Sequence, residues 1–89
     1  MISRDFKISN KLGLHARPSA QITQVAGKFE SEIGIAKNGR RVNAKSIMGV
    51  LMLAAGYGSV VTVDAEGPDA ETAVSEIGAL IAGGFGEPD

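Results

Sequence analysis

The chain has 89 residues, a formal net charge of −1, a single histidine and no cysteine. A chain of this length has room for one small domain, and the lack of cysteine excludes disulfides and thiolate metal sites. The polar start and the absence of a long apolar run argue against a signal peptide or membrane insertion. We therefore expect a cytoplasmic protein, without a metal or cofactor.

The charges are unevenly distributed along the chain. Residues 1–45 contain nine Lys and Arg against three acids, whereas residues 46–89 contain seven acids and no base. The bases are scattered, without a run or interleaved aromatic residues, so nucleic acid is not the expected partner. We interpret them as a basic surface that meets an acidic protein surface, the alternative being an ordinary solvated face.

The first third of the chain predicts a strand, a polar connection and a helix. Residues 2–8 alternate as in a strand, and residues 9–12 lead to Gly13. Pro18 suits the first turn of a helix, which is predicted to end near Ala26, just before a glycine. Its apolar residues at helical spacing are Ile22, Val25, Ala26 and Phe29.

The remainder predicts a hairpin, a short helix, a strand and a final helix. Asn38-Gly39 is a strong hairpin signal, and residues 40–43 return as the partner of a strand containing Ile33 and Ile35. Ser46 is predicted to cap a helix over residues 47–55. After these come a strand over 59–66, a turn with a helix cap at 67–69, an amphipathic helix from Ala70 to Ile81 and a frayed tail over 84–89. The resulting β-α-β-β-α-β-α order indicates an α+β fold, with helices on one face of a mainly antiparallel sheet.

His15 lies at or just before the start of the first predicted helix. Backbone N–H groups at a helix start attract anions and disfavour an imidazolium ion. We therefore expect a neutral imidazole near pH 7, with a lone pair free to attack and with Arg17 close enough to neutralise an added phosphoryl group. An isolated histidine is more often a cap, a surface residue or part of a core, so its position alone does not decide its role.

Residues 13–18, Gly-Leu-His-Ala-Arg-Pro, resemble the active-site stretch of the HPr family, the histidine phosphocarriers of the bacterial phosphoenolpyruvate-dependent phosphotransferase system. Residues 42–51 resemble the regulatory serine of that family and the short helix after it. The resemblance covers nearly the whole chain and implies an open-faced β-sandwich with strands in the order 1-4-2-3. Residues 8–15 and 82–87 are similar to the nitrogen-related NPr branch, so sugar uptake and pure regulation both remain open.

The resemblance implies a carrier, not an enzyme that turns over. Enzyme I would phosphorylate Nδ1 of His15, with Arg17 as charge partner, and an enzyme IIA protein would accept the group. The chain has no Gly-rich loop ending in Lys-Ser/Thr and no acid pair expected near the histidine, so ATP is not the expected donor. Arg17 as an ordinary exposed base is the alternative. We expect a monomer that presents one site to successive partners.

Ser46 has two interpretations. As a helix cap it contributes about 1 kcal/mol and nothing more. The resemblance instead implies phosphorylation by HPr kinase/phosphorylase, which would add about two negative charges beside the docking surface and weaken engagement with Enzyme I. A different function follows from the same residue: a purely regulatory binding module acting through Ser46 and its apolar patch, with His15 idle.

The helix after Ser46 is apolar on every face, so one sheet cannot bury all of it. Methionines on an adaptable exposed surface suit a protein with several partners, whereas Leu53 is the better candidate for the core. Ser19 stands where the family commonly has alanine, and we expect it to alter the surface of the first helical turn. The predicted docking residues are Ala20, Gln24, Ile47, Met48 and Leu51, with burial in the core as the alternative for the last three.

Overall fold

The computed structural model describes residues 1–87. Its strands are β1 (Ile2–Lys7), β2 (Glu32–Lys37), β3 (Arg40–Asn43) and β4 (Val60–Glu66). Its helices are α1 (Ala16–Ala26), α2 (Ile47–Met52) and α3 (Ala70–Ala82), followed by one 3₁₀ turn at Gly84–Gly86. Element order and type agree with the sequence prediction.

The four strands form one antiparallel sheet in the order β1-β4-β2-β3, with all three helices on one side. On β4, alternate residues Val61, Val63 and Ala65 are fully buried beneath the helices, as the period of a strand requires. The opposite face carries polar pairs, such as the Arg41 guanidinium that donates to the Asp64 carboxylate at 2.8 Å. The predicted open-faced α+β sandwich is therefore confirmed.

Several local predictions are also confirmed. Asn38 and Gly39 both have positive φ, 52° and 81°, as a two-residue hairpin turn requires. Helix α3 contributes a continuous stripe of buried residues to the core, and it ends at Ala82, with Gly83 as its C-cap. The buried residues of that stripe are Ala70, Ala73, Val74, Ile77, Gly78 and Ile81.

Asp69 occupies the predicted cap position of α3, but within residues 1–87 its side chain does not cap that helix. Its carboxylate instead accepts hydrogen bonds from the Ser31 hydroxyl and from the amides of Glu30 and Ser31. The hydrogen bond from the Ser31 hydroxyl, followed by that from the Glu30 amide, lowers the pKa of Asp69. The ionised carboxylate therefore fastens the start of α3 to the loop that enters β2.

Helix α2 is shorter than predicted and ends at Met52, not at residue 55. The amides of Leu53 and Ala54 donate to carbonyls three residues earlier, which tightens the last turn, and Ala54 then takes a left-handed φ of 50°. Leu53 turns inward and is buried, as predicted. The early end leaves residues 53–58 to form the loop that faces the start of α1.

The end of the chain differs from the predicted frayed tail as far as Glu87. The 3₁₀ turn after α3 places Phe85 in the core, where it is 4 % exposed. Burial of an aromatic side chain offsets the entropy lost on ordering this segment. Residues 88–89 of that predicted tail lie outside the described residues. Within residues 1–87, no helix is both long and apolar enough to cross a membrane.

Candidate functional site at the start of α1

The loop before α1 is held against the connection between α2 and β4. The Leu14 amide donates to the Ala55 carbonyl at 2.8 Å, and the Gly13 amide donates to the Asn10 carbonyl at 3.1 Å. Gly13 has a φ of 65°, and a Cβ there would overlap the Ala55 carbonyl oxygen. Only glycine fits this position without moving the backbone of residues 55–56, so the loop fixes where His15 emerges.

His15 is the N-cap residue of α1, as predicted, with extended backbone angles. The first intrahelical hydrogen bond runs from the Ser19 amide to the His15 carbonyl at 3.0 Å. The amides of Ala16 and Arg17 precede it and therefore have no intrahelical acceptor. No side chain within residues 1–87 caps this helix start. The imidazole, 34 % exposed, thus stands at a helix start with backbone donors available to an anion.

The imidazole has a partner that the sequence analysis missed. Nε2 of His15 lies 2.7 Å from Oε2 of Glu87, although the two residues are 72 positions apart. The Asn10 amide nitrogen donates to Oε1 of Glu87 at 3.0 Å and to the Gly13 carbonyl at 2.8 Å. The two contacts to Glu87 have no local sequence signal, because both depend on residues 84–87 turning back over the core.

The surroundings of the Glu87 carboxylate favour its ionised form. Desolvation raises the pKa of Glu87, but hydrogen bonds from Asn10 and His15, with the electrostatic influence of His15 and Arg17, outweigh it. The net effect is a pKa below the usual value of a glutamate. From the sequence we predict no pair of acids that could hold magnesium beside the histidine and name no acid there; the structure places the single carboxylate of Glu87 against the ring. In the described part of the chain, no three His, Asp or Glu residues converge as metal ligands.

Arg17 is exposed in the first turn of α1. Among residues 1–87 its guanidinium has no hydrogen-bond or ion-pair partner, in contrast to Arg41 and Arg4, which pair with acids elsewhere. It lies near enough to Glu87 to help lower the pKa of that carboxylate. Arg17 thus lies in the first turn of α1, two residues after His15, and within residues 1–87 its charge is not engaged by an acid.

Ser46 is the N-cap of α2, which confirms the sequence prediction. Its hydroxyl oxygen accepts a hydrogen bond from the Gly49 amide at 3.1 Å. Lys45, beside it, points its ammonium group at the Phe29 carbonyl at 2.8 Å instead of at Ser46. The hydroxyl is half-buried, so the residue is a structural cap in the form of the protein seen here.

The predicted docking residues are partly exposed. Met48 is 64 % exposed and Ile47 and Gln24 are exposed, whereas Leu51 and Ala20 are half-buried. Helix α1 packs beside α2, so these residues belong to neighbouring helices. Met52, which was not among the predicted docking residues, is also exposed on α2.

The expectation for Ser19 is wrong. Its side chain is 0 % exposed, and its hydroxyl donates to the Leu14 carbonyl at 3.1 Å. It does not alter the surface of the first helical turn, because it faces the loop that carries His15. Its role in the structure is to tie that loop to α1.

Comparison with known proteins agrees with this arrangement. A family model described as "PTS HPr component phosphorylation site" matches residues 2–83. The phosphocarrier protein HPr of Cupriavidus necator is 59 % identical over 98 % of both chains. That of Neisseria meningitidis serogroup A is 48 % identical over the same shares. A crystal structure of HPr from Thermoanaerobacter tengcongensis, 46 % identical, covers all of both chains with a TM-score of 0.96.

An open-faced sandwich with a histidine at the start of its first helix, matched by a phosphorylation-site family, defines the class: phosphoryl carriers of the phosphotransferase system. The chain belongs to the HPr family. Membership supports a phosphoryl carrier role and association with other components of that system.

Proposed function

We propose that the chain accepts a phosphoryl group on His15 from phosphorylated Enzyme I and passes it to a histidine of an enzyme IIA protein. The observation that supports this most directly is the partly exposed imidazole at a helix start whose first amides have no side-chain cap within residues 1–87. The protein acts stoichiometrically: each molecule takes up one group and gives it away.

The transfer requires little covalent chemistry from the protein. A lone pair on the His15 ring attacks phosphorus, the bond from phosphorus to the donor nitrogen breaks, and its electron pair stays on the donor ring. Positioning and neutralisation of charge do most of the work in such transfers. The amides of Ala16 and Arg17, with the Arg17 guanidinium, supply donors for the phosphoryl oxygens that arrive.

Partners are proposed to dock on the neighbouring exposed parts of α1 and α2. Flexible methionine side chains suit a surface that must fit Enzyme I and enzyme IIA proteins in turn. The docking residues remain those predicted from the sequence: Ala20, Gln24, Ile47, Met48 and Leu51.

Ser46 is proposed as a regulatory site for HPr kinase/phosphorylase. It caps the helix that carries the docking residues Ile47, Met48 and Leu51, so a phosphate there would add about two negative charges to that surface. The same position at a helix N-terminus would accommodate the phosphate locally. The expected result is weaker engagement with Enzyme I without unfolding of α2.

A monomer is the expected working state, because one copy then presents the whole surface. One relative, from Thermoanaerobacter tengcongensis, is described as an HPr dimer; it is 47 % identical, with a TM-score of 0.78. Analytical ultracentrifugation of this chain across a concentration range decides between the two states. A dimer that persists on dilution to micromolar protein would contradict the monomer.

The carrier function is tested by incubation with phosphoenolpyruvate and Enzyme I. We expect one acid-labile, base-stable phosphate per chain, absent from His15→Ala, and then lost on addition of an enzyme IIA protein. A purely regulatory module would take up only acid-stable phosphoserine, and only from ATP and a kinase. That second result, with no acid-labile phosphate on the wild type, would overturn the carrier proposal.

A further inference from the structure

We infer that Glu87 is a positioning residue for His15: its carboxylate holds Nε2 as the protonated ring nitrogen and leaves Nδ1 as the nucleophile. This inference rests on the proposed phosphorylation of His15. It adds to that proposal a third residue, a proton position and a physical reason for attack through Nδ1.

The geometry fixes the direction of the hydrogen bond. An ionised carboxylate only accepts, so at 2.7 Å the His15 nitrogen facing Oε2 must be the donor. A neutral imidazole carries one N–H, and with that proton on Nε2 the lone pair is on Nδ1. Glu87 therefore selects the tautomer that can attack through Nδ1.

Asn10 holds the carboxylate in place. Its amide nitrogen has two N–H groups; one donates to Oε1 of Glu87 and the other to the Gly13 carbonyl. The Asn10 side chain is buried and cannot turn its oxygen toward Glu87 without losing the bond to Gly13. The loop that delivers His15 thus also orients the residue that faces its ring.

The chain end is built to bring Glu87 back to the loop. Gly84 and Gly86 have φ values of 65° and 71°, which reverse the backbone after α3. Phe85 between them is anchored in the core. The Glu87 side chain is only 15 % exposed, so its contact with the ring is shielded from water and is stronger than a contact on an open surface.

The carboxylate also has a use during transfer. As the bond from Nδ1 to phosphorus forms and the donor bond to phosphorus breaks, positive charge develops on the His15 ring, which still carries its Nε2 proton. Oε2 of Glu87 faces that proton and stabilises the developing charge. In onward transfer the electron pair of the breaking bond returns to Nδ1, and the Nε2 proton remains where it was.

Three variants test the assignment: E87A, E87Q and, as a control, E76Q, which changes an exposed glutamate of α3. In E87Q, Asn10 continues to donate toward the side-chain oxygen, so the new amide nitrogen faces Nε2 as a donor. That arrangement favours the tautomer with the proton on Nδ1, so Nδ1 has no free lone pair with which to attack phosphorus. E87A removes the partner without imposing the wrong tautomer.

Phosphoryl uptake from Enzyme I is measured by rapid quench, and the His15 ring nitrogens are observed by ¹⁵N NMR. We expect E87A to slow uptake roughly tenfold and E87Q roughly a hundredfold. The effect of E87Q is larger because it favours the tautomer that cannot attack through Nδ1, whereas E87A favours neither tautomer. E76Q retains the wild-type rate. The ¹⁵N spectrum should show the proton on Nε2 in the wild type and on Nδ1 in E87Q, and dispersed amide spectra check folding.

Uptake at the wild-type rate by both Glu87 variants, or a proton still on Nε2 in E87Q, would overturn this inference while the carrier function stands. If the wild type itself takes up no acid-labile phosphate, the proposed function fails instead. The two failures are therefore distinguishable in one set of measurements.

Discussion

The starts of α1 and α2 carry the two residues proposed for phosphorylation, and they are built in opposite ways. At α2, the Ser46 hydroxyl oxygen accepts a hydrogen bond from the Gly49 amide, so the N-cap residue caps the helix with its own side chain. At α1, within residues 1–87, the His15 ring caps nothing and faces Glu87. One helix start is closed by its own side chain, and the other is left open for an external anion.

The difference shows that a helix N-terminus has two uses in this protein: a capped one stabilises a short helix, and an uncapped one keeps its amides available. An internal cap stabilises a helix of only six residues, which has few intrahelical hydrogen bonds of its own. Helix α1 has 11 residues, and burial of Ile22 and Ala26 stabilises it without a side-chain cap. A carrier needs donors that are not already used, and α1 can leave its first amides unused because the rest of the helix is anchored in the core.

The largest effect is expected from a substitution in the loop before α1. Gly13→Ala should lower the free energy of unfolding by about 3 kcal/mol, because the positive φ and the overlap with the Ala55 carbonyl both add cost. Urea denaturation measures it. Gly39→Ala is the matched control: its φ is also positive, but within residues 1–87 no atom lies within 4 Å of the added Cβ. A loss at Gly13 no larger than at Gly39 would contradict the close fit.

The proposed role of the start of α1 is tested by removing the charge of Arg17. Arg17→Gln should slow phosphoryl uptake from Enzyme I about tenfold, because a charged donor to the phosphoryl oxygens becomes a neutral one. The free energy of unfolding should be unchanged, since within the described residues the guanidinium bonds no protein group. Arg40→Gln, on the β2–β3 hairpin, is the control, and rapid-quench kinetics is the measurement. Equal rates for both variants would show that Arg17 is an ordinary surface base.

Substitutions of Ser46, at the capped start of α2, are expected to give the smallest effect. Ser46→Ala should cost about 1 kcal/mol of stability with uptake at His15 unchanged, because only the cap is lost. Ser46→Asp should keep the stability, since aspartate caps as well as serine, but should slow uptake through its added charge. Thermal unfolding and uptake kinetics on the two variants separate the roles. A slow Ser46→Ala variant, or a Ser46→Asp variant as fast as the wild type, would contradict this separation.

Features of this protein that depend on residues close together in the chain follow from the sequence alone. The apolar period of α1 with Pro18 placed His15 at a helix start, Asn38-Gly39 specified a hairpin, and Ser46 specified a cap. Each is set by hydrogen bonds or side-chain spacing within a few residues, which a linear pattern records. The two motifs resembling the HPr family added the strand order, which the comparisons and the sheet topology confirm.

Contacts between residues that are far apart in the chain become visible only in the folded protein. Glu87 meets His15 because Phe85 packs into the core and residues 84–87 turn back toward the loop before α1. Asp69 bonds Ser31 instead of capping α3, and Ser19 faces the loop before α1 instead of solvent. No local period encodes these choices: they depend on which buried polar groups find partners once the helices have packed on the sheet.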